Sequence, residues 1–109
     1  MLKTTLDILS KAVVKDIIVY HMQEVSPFYD YFVIGSVNSN RQGNAAVNYL
    51  KKDLALAGYQ IKGFSSSSES GWFLVDAGSV VVHIFVGNER NVYNLDGIFS
   101  HLKKDIIEN

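Results

Sequence analysis

The sequence predicts an α/β (α+β) fold: one mixed sheet of about five strands with three helices packed on it, in the order α-β-β-α-β-β-β-α. Three observations predict it. Leu2, Leu6, Leu9 and Val13, and again Ala46, Leu50, Leu54 and Ala57, recur at the spacing of a helix with one buried stripe. Short runs such as Val80–Val86 are instead dense in β-branched residues, the composition of strands. The 109-residue length suits a single domain, 1–109, with no room for a second core.

From the N-terminus, residues 3–15 read as an amphipathic helix and 17–25 as a strand. Ser26-Pro27 breaks that strand, because proline withholds an N–H from the ladder. A second strand runs from Tyr29 or Asp30 through Val37, and the short link predicts a hairpin. Asn38-Ser39-Asn40 offers an N-cap to the middle helix, and Gly58 ends it. Residues 61–64 predict a short strand, and Ser65-Ser66-Ser67-Ser68 a loop. Strands 71–76 and 80–86 follow, joined at Ala77-Gly78 or a slightly longer turn. The last helix is expected over 89–107, with Val92, Leu95, Phe99, Leu102 and Ile106 on its buried face. Gly97 inside it costs about 1 kcal/mol relative to alanine.

Charge and composition narrow the function. Ten Lys+Arg against eleven Asp+Glu leave a net charge of −1, which excludes the basic footprint of a non-specific nucleic-acid binder. The absence of cysteine excludes disulfides, iron–sulfur clusters and thiolate zinc sites. Apolar runs fall far short of the ~20 residues that span a membrane, and the N-terminus lacks the pattern of a leader. The expected compartment is the cytoplasm, with no membrane partner.

Catalytic patterns are thin. No paired carboxylates are placed to hold a metal, and His21, His83 and His101 have no partner at i+3 or i+4, so neither metal nor cofactor is expected. A triad could be drawn from Ser36, His83 and Asp76, but the Gly-x-Ser-x-Gly elbow is missing. Gly35-Ser36 near a strand end, followed by a polar turn and a helix, could set backbone amides against phosphate. This leaves one alternative, a nucleotide-binding or nucleotidyltransferase-like enzyme centred on Gly35-Ser36. The ordinary reading is a small-residue turn into a capped helix.

The hairpin over 71–86 says more. Alternation puts Phe73, Val75, Val80, Val82, Ile84 and Val86 on one wholly apolar face. The other face is mixed: Trp72, Leu74, Asp76, Ser79, Val81, His83 and Phe85. A two-residue turn at Ala77-Gly78 would set Trp72 opposite His83 and Leu74 opposite Val81. Trp72 is then either core beneath a second layer or a partly exposed anchor for a partner. The same mixed face could join two copies of the chain as a homodimer.

Trp72-Phe-Leu-Val-Asp76, Gly78, Val80-Val-Val-His-Ile-Phe85 and Arg90-x-x-Tyr93-x-Leu95-Asp96 together resemble the C-terminal signature of the ribosomal silencing factor, or Iojap-like, family. Ala12, Lys15 and Asp16-Ile17 resemble its first helix running into its first strand. Asp30-Tyr-Phe-Val-Ile34 looks like its second strand, and Ser36, Ser39 and Arg41-Gln42 like the turn into its middle helix. Departures stand at Ser65-Ser66, where the family usually has Glu-Gly, at Ala77 and Ser79, at Asp96 for glutamate, and at Phe99 near a usual tryptophan.

The resemblance implies a nucleotidyltransferase-like fold without the active site and a protein that is not an enzyme. It implies binding to the large ribosomal subunit through ribosomal protein number fourteen, steric blocking of subunit joining, and repression of translation when nutrients are scarce. The contacts expected on this reading are Trp72, Leu74, Asp76 and His83, with Asp30 and Tyr31 beside them. Arg90 and Tyr93 are expected to tie the last helix to the sheet.

Overall fold

Alternating apolar residues build the core first. Ile17, Val19, Val33, Phe73, Val75, Val82 and Ile84 all point to one side of a sheet and are at most 1% exposed. In the computed structural model, which describes residues 1–65 and 69–108, two helices cover that side. Helix α1 (Leu2–Lys11) contributes Ile8 and Leu9, and α2 (Asn40–Leu56) contributes Ala46, Val47, Leu50 and Leu54. The Ser39 hydroxyl accepts from the Gln42 N–H, so the expected cap of α2 forms.

The strands are β1 (Lys15–His21), β2 (Tyr31–Val37), β3 (Gly63–Ser65), β4 (Trp72–Asp76), β5 (Val80–Val86) and β6 (Lys104–Ile106). They form a six-stranded sheet in the order β3-β4-β5-β2-β1-β6. Only β2 and β5 run parallel; every other neighbouring pair is antiparallel, so the sheet is mixed as expected. Among the described residues no helix is long and apolar enough to cross a membrane.

Several boundaries differ from the sequence reading. Strand β1 covers Lys15–His21 where 17–25 was expected, and β3 covers Gly63–Ser65 where 61–64 was expected. Helix α2 stops at Leu56, so Ala57, expected in its buried stripe, is exposed. Helix α1 ends at Lys11 because Val13 takes a left-handed backbone (φ 61°) and turns the chain into β1, which leaves that valine 57% exposed. The largest difference lies at the C-terminus, where no continuous helix runs over 89–107. A short helix α3 (Glu89–Tyr93) stops at Asn94, whose φ of 53° is left-handed, and a single turn α4 (Leu95–Ile98) restarts there. The Asn94 carboxamide caps that restart by accepting from the Gly97 N–H at 3.1 Å. Asparagine tolerates this backbone better than most residues, so the break falls there and not at Gly97. The chain then turns at Leu102, and β6 pairs along the outer edge of β1. Val92 and Ile106, expected in the buried stripe, are 65% and 70% exposed. Ser65 ends β3, while Ser66, Ser67 and Ser68 of the expected loop lie outside the described residues.

A candidate docking face on the second side of the sheet

The β4–β5 hairpin sets the register of this face. Trp72 pairs with Phe85, Leu74 with His83 and Asp76 with Val81. The Ala77 N–H donates to the Val80 carbonyl, so the turn is Gly78-Ser79, one residue later than Ala77-Gly78. Gly78 supplies the positive φ (92°) that this turn demands, and the Asp76 carboxylate accepts its N–H at 2.9 Å. The shift moves each cross-strand partner by two positions. Two is the side-chain period of a strand, so every residue keeps its face.

Trp72 is half-buried. Its Nε1 donates to Nδ1 of His83 at 3.2 Å, and its ring lies 4.7 Å from that of Tyr93 and 5.3 Å from that of Phe85. His83 itself is only 4% exposed, also packed against Phe32, so it supports the tryptophan from beneath and presents little surface of its own. Of the expected contacts it is the one the fold buries. Because Nδ1 accepts, the neutral ring carries its proton on Nε2, which has no hydrogen-bond partner among the described residues. Burial pushes the imidazole from 6.5 down to about 4, against the opposing pull of the Asp76 charge.

Part of the second face is sealed. Tyr93, Leu95, Phe99 and Leu102 lie over Tyr20, Ile34 and Phe85 to form a second apolar cluster. Arg90 anchors that cover at three points: the Asp96 carboxylate (2.9 Å), the Ser36 hydroxyl (2.9 Å) and the Asp16 carbonyl (2.7 Å). Asp16 presents its carbonyl from an irregularity in β1, where the backbone is left-handed (φ 53°). Tyr20 closes the network by donating to Asp96 at 2.5 Å. Burial alone would raise the Asp96 carboxyl, but hydrogen bonds from Arg90 and Tyr20 outweigh it and hold the group below 3.8. Tyr20 is pushed well above its ordinary value, by burial first and by Asp96 second. Arg90 and Tyr93 thus tie the C-terminal segment to the sheet as expected, Tyr93 by its ring on Trp72 and by donating to the Ser70 carbonyl. Asp96 and Phe99, two departures from the family pattern, both work here: Asp96 pairs with Arg90, and Phe99 packs on Tyr20 and Phe32.

Beyond that cover, Leu74 and Asp76 remain half-exposed, and a shallow cavity of about 250 Å³ opens between Ser65, Ser70, Trp72 and Leu74. Asp30 is exposed just before β2, its N–H held by the Ser79 carbonyl at 2.8 Å, so it joins Asp76 at the turn end of the sheet. Tyr31 does not join them. It packs against the first core, edge-on to His21, on the opposite side of the sheet. The face therefore gathers Trp72, Leu74, Asp76 and Asp30. Sequence reasoning missed Ser65 and Ser70 as cavity walls, for small polar residues carry no positional signal.

Gly35-Ser36 is not a phosphate cradle. Both residues lie inside β2, where a Cβ at Gly35 would collide with the Val14 side chain, so that glycine serves close packing. The Ser36 hydroxyl is already taken by Arg90. The drawn triad also fails, since His83 directs Nδ1 to Trp72.

The whole architecture has close relatives. The family model described as ribosomal silencing factor during starvation matches residues 1–108. The ribosomal silencing factor RsfS of Bacillus subtilis is 38% identical over 85 residues, covering 78% of this chain and 72% of that protein. The mouse mitochondrial assembly of ribosomal large subunit protein 1 is 32% identical over 89 residues, 79% of this chain and 39% of the mouse protein. A crystal structure of a Chromobacterium violaceum protein superposes with a TM-score of 0.85 at 28% identity, covering 99% of this chain and 90% of that one. A second, from Bacillus halodurans, gives 0.83 at 28% identity, covering 97% and 96%. With a matching family model along nearly its full length, the chain belongs to the ribosomal silencing factor family.

Proposed function

We propose that this chain, as one domain over 1–109, is a translational repressor that docks on the large ribosomal subunit in the cytoplasm and keeps the small subunit from joining. It acts by occupancy and performs no chemistry. The docking partner is ribosomal protein number fourteen of the large subunit, and the demand for repression is nutrient limitation. The observation that carries the reading is the uncovered part of the second sheet face, where Trp72 and Leu74 lead along β4 to the carboxylates Asp76 and Asp30 at the turn end, in a member of this family. An apolar strip with two acids at one end complements a basic ribosomal protein, and near-neutral net charge is enough for that.

The test is to add the protein to separated subunits, raise magnesium and follow joining by light scattering, with sedimentation through sucrose to locate the protein. Inhibition should saturate near one copy per large subunit, yield to excess small subunit and need no nucleotide. Preformed ribosomes should be little affected, because their subunit interface is already shielded. Normal joining at saturating protein, or inhibition that requires ATP or GTP turnover, overturns the reading. Dimerisation through the same face would appear as inhibition that rises less than proportionally with protein concentration, because free monomer then grows only as the square root of the total.

A further inference from the structure

Around the β3 edge, on the helix side of the sheet, lies a groove that the docking face does not use. It occupies about 400 Å³ between the second half of α2 and the segment that leads into β3. Phe64 forms its wall and is 51% exposed, an unusual position for a large ring on a short edge strand. The Lys51 ammonium sits 3.7 Å above the centre of that ring. Lys62, two residues before Phe64, lines the same groove, with Tyr59 and Gln60. None of the groove's lining residues is acidic, although the chain as a whole carries a net charge of −1. Asp53 lies two positions from Lys51, about 200° around the helix, and so faces away.

We infer that this groove binds a nucleotide, its base stacked on Phe64 and its phosphate held by Lys51 and Lys62. Each part of such a ligand meets its chemistry here. The exposed ring offers a flat stacking surface that any base fits. The ammonium over the ring marks where positive charge already collects, and its four-carbon stem lets it move aside to a phosphate as the base arrives. Gln60 brings an amide donor and acceptor to the rim, suited to a base edge. An acidic peptide would use the lysines but leave the ring unused. The volume suits one nucleotide and not a folded partner.

Two sources supply that chemistry: free nucleotides, and an exposed nucleotide of ribosomal RNA beside the docked protein. The second source rests on the proposed docking to the large subunit; the first does not.

The probes are AMP, ADP and a short single-stranded oligonucleotide, with ribose 5-phosphate as the ligand lacking a base, each titrated into the labelled protein and followed by backbone-amide NMR. The nucleotides should shift the amides around Lys51, Tyr59 and Phe64 with a Kd in the range of roughly millimolar. Ribose 5-phosphate should bind about tenfold more weakly, and Phe64→Ala should erase that difference. Phe64 is exposed, so this variant should keep its fold, which the same spectra report. Equal shifts with ribose 5-phosphate, shifts unchanged in Phe64→Ala, or none at saturating nucleotide overturn the inference. The paired variant Lys51→Gln, Lys62→Gln is then sedimented with large subunits. A loss of subunit binding against wild type assigns the site to ribosomal RNA, and wild-type binding assigns it to free nucleotides. If wild type itself does not bind subunits, the docking reading falls while the nucleotide titration still stands or falls alone.

Discussion

Lowering the pH should destabilise this protein in a window set by His83. The buried ring stays neutral down to about pH 4, whereas the same imidazole in the unfolded chain takes up a proton near 6.5. Between these values the unfolded state binds more protons than the native one, so acid favours unfolding there. The stability is fully present above pH 6.5 and is lost as pH falls to about 4. The gap corresponds to roughly 3 kcal/mol, or on the order of 10–15 °C in Tm for a domain of this size. Differential scanning calorimetry from neutral pH downward measures it, and His83→Leu isolates it. That variant should begin less stable, because Trp72 Nε1 loses its acceptor and faces an apolar group. Its Tm should nonetheless fall less steeply across the window. The His83 ring resonance should also stay in the neutral position until about pH 4. Parallel pH slopes for wild type and variant, or titration of that resonance near 6.5, would falsify the assignment of a buried neutral histidine.

Other substitutions separate docking from folding. Leu74→Lys should weaken large-subunit binding by about 2 kcal/mol or more with little change in Tm, since an apolar interface anchor is replaced on a half-exposed position; co-sedimentation reads it. Asp76→Asn keeps an oxygen for the Gly78 N–H and removes the charge, so it should lower affinity for a basic partner, most visibly at low salt, without loosening the turn. Phe73→Ala opens a cavity in the first core, where Phe73 is 0% exposed, and should cost about 3–5 kcal/mol in denaturant titrations. A gel shift with protein-free ribosomal RNA should show no sub-micromolar binding at physiological salt; tight binding would place the affinity outside the docking face.

The first core was readable in the sequence because the strand periodicities and the α2 stripe of Ala46, Leu50 and Leu54 survive folding. Ala57, expected in that stripe, falls beyond the helix end and is exposed. Phe73, Val75, Val82 and Ile84 occupy the face their alternation assigns, and a two-residue shift of the hairpin register left that unchanged. The C-terminus was not readable, for a local reason. Residues 89–107 carry apolar groups at helical spacing, yet Asn94 reverses the backbone and the open edge of β1 offers ladder bonds to Lys104–Ile106. A pattern of side chains is silent about an edge strand's unmet N–H and C=O groups, which are satisfied here by backbone alone.

That rearrangement decides how Trp72 should be read. A continuous last helix would have left open whether the tryptophan is core or exposed; the broken segment leaves it half-buried, part of the aromatic packing and, on the proposed docking, also an anchor. Tyr93 covers one side of the ring and His83 supports it from below, while its remaining surface lines the cavity with Leu74. Trp72→Ala must therefore lower Tm as well as affinity, because it strips an aromatic contact from Tyr93 and leaves the buried His83 without its donor. Loss of ribosome binding in that variant alone would not locate the interface. The aromatic pair instead couples the two regions: whatever docks on Leu74 and Trp72 also leans on the segment that Arg90 clamps to Asp96, Ser36 and Asp16. Arg90→Gln, remote from the exposed patch, should consequently cost stability first, by roughly 1–3 kcal/mol from the weakened hold on Asp96. Affinity should fall only as far as Tyr93 loses its seat. Comparing Tm and co-sedimentation for Arg90→Gln and Leu74→Lys resolves the two effects. If Arg90→Gln abolishes binding while Tm is unchanged, Arg90 contacts the partner directly and the clamp is not its main task.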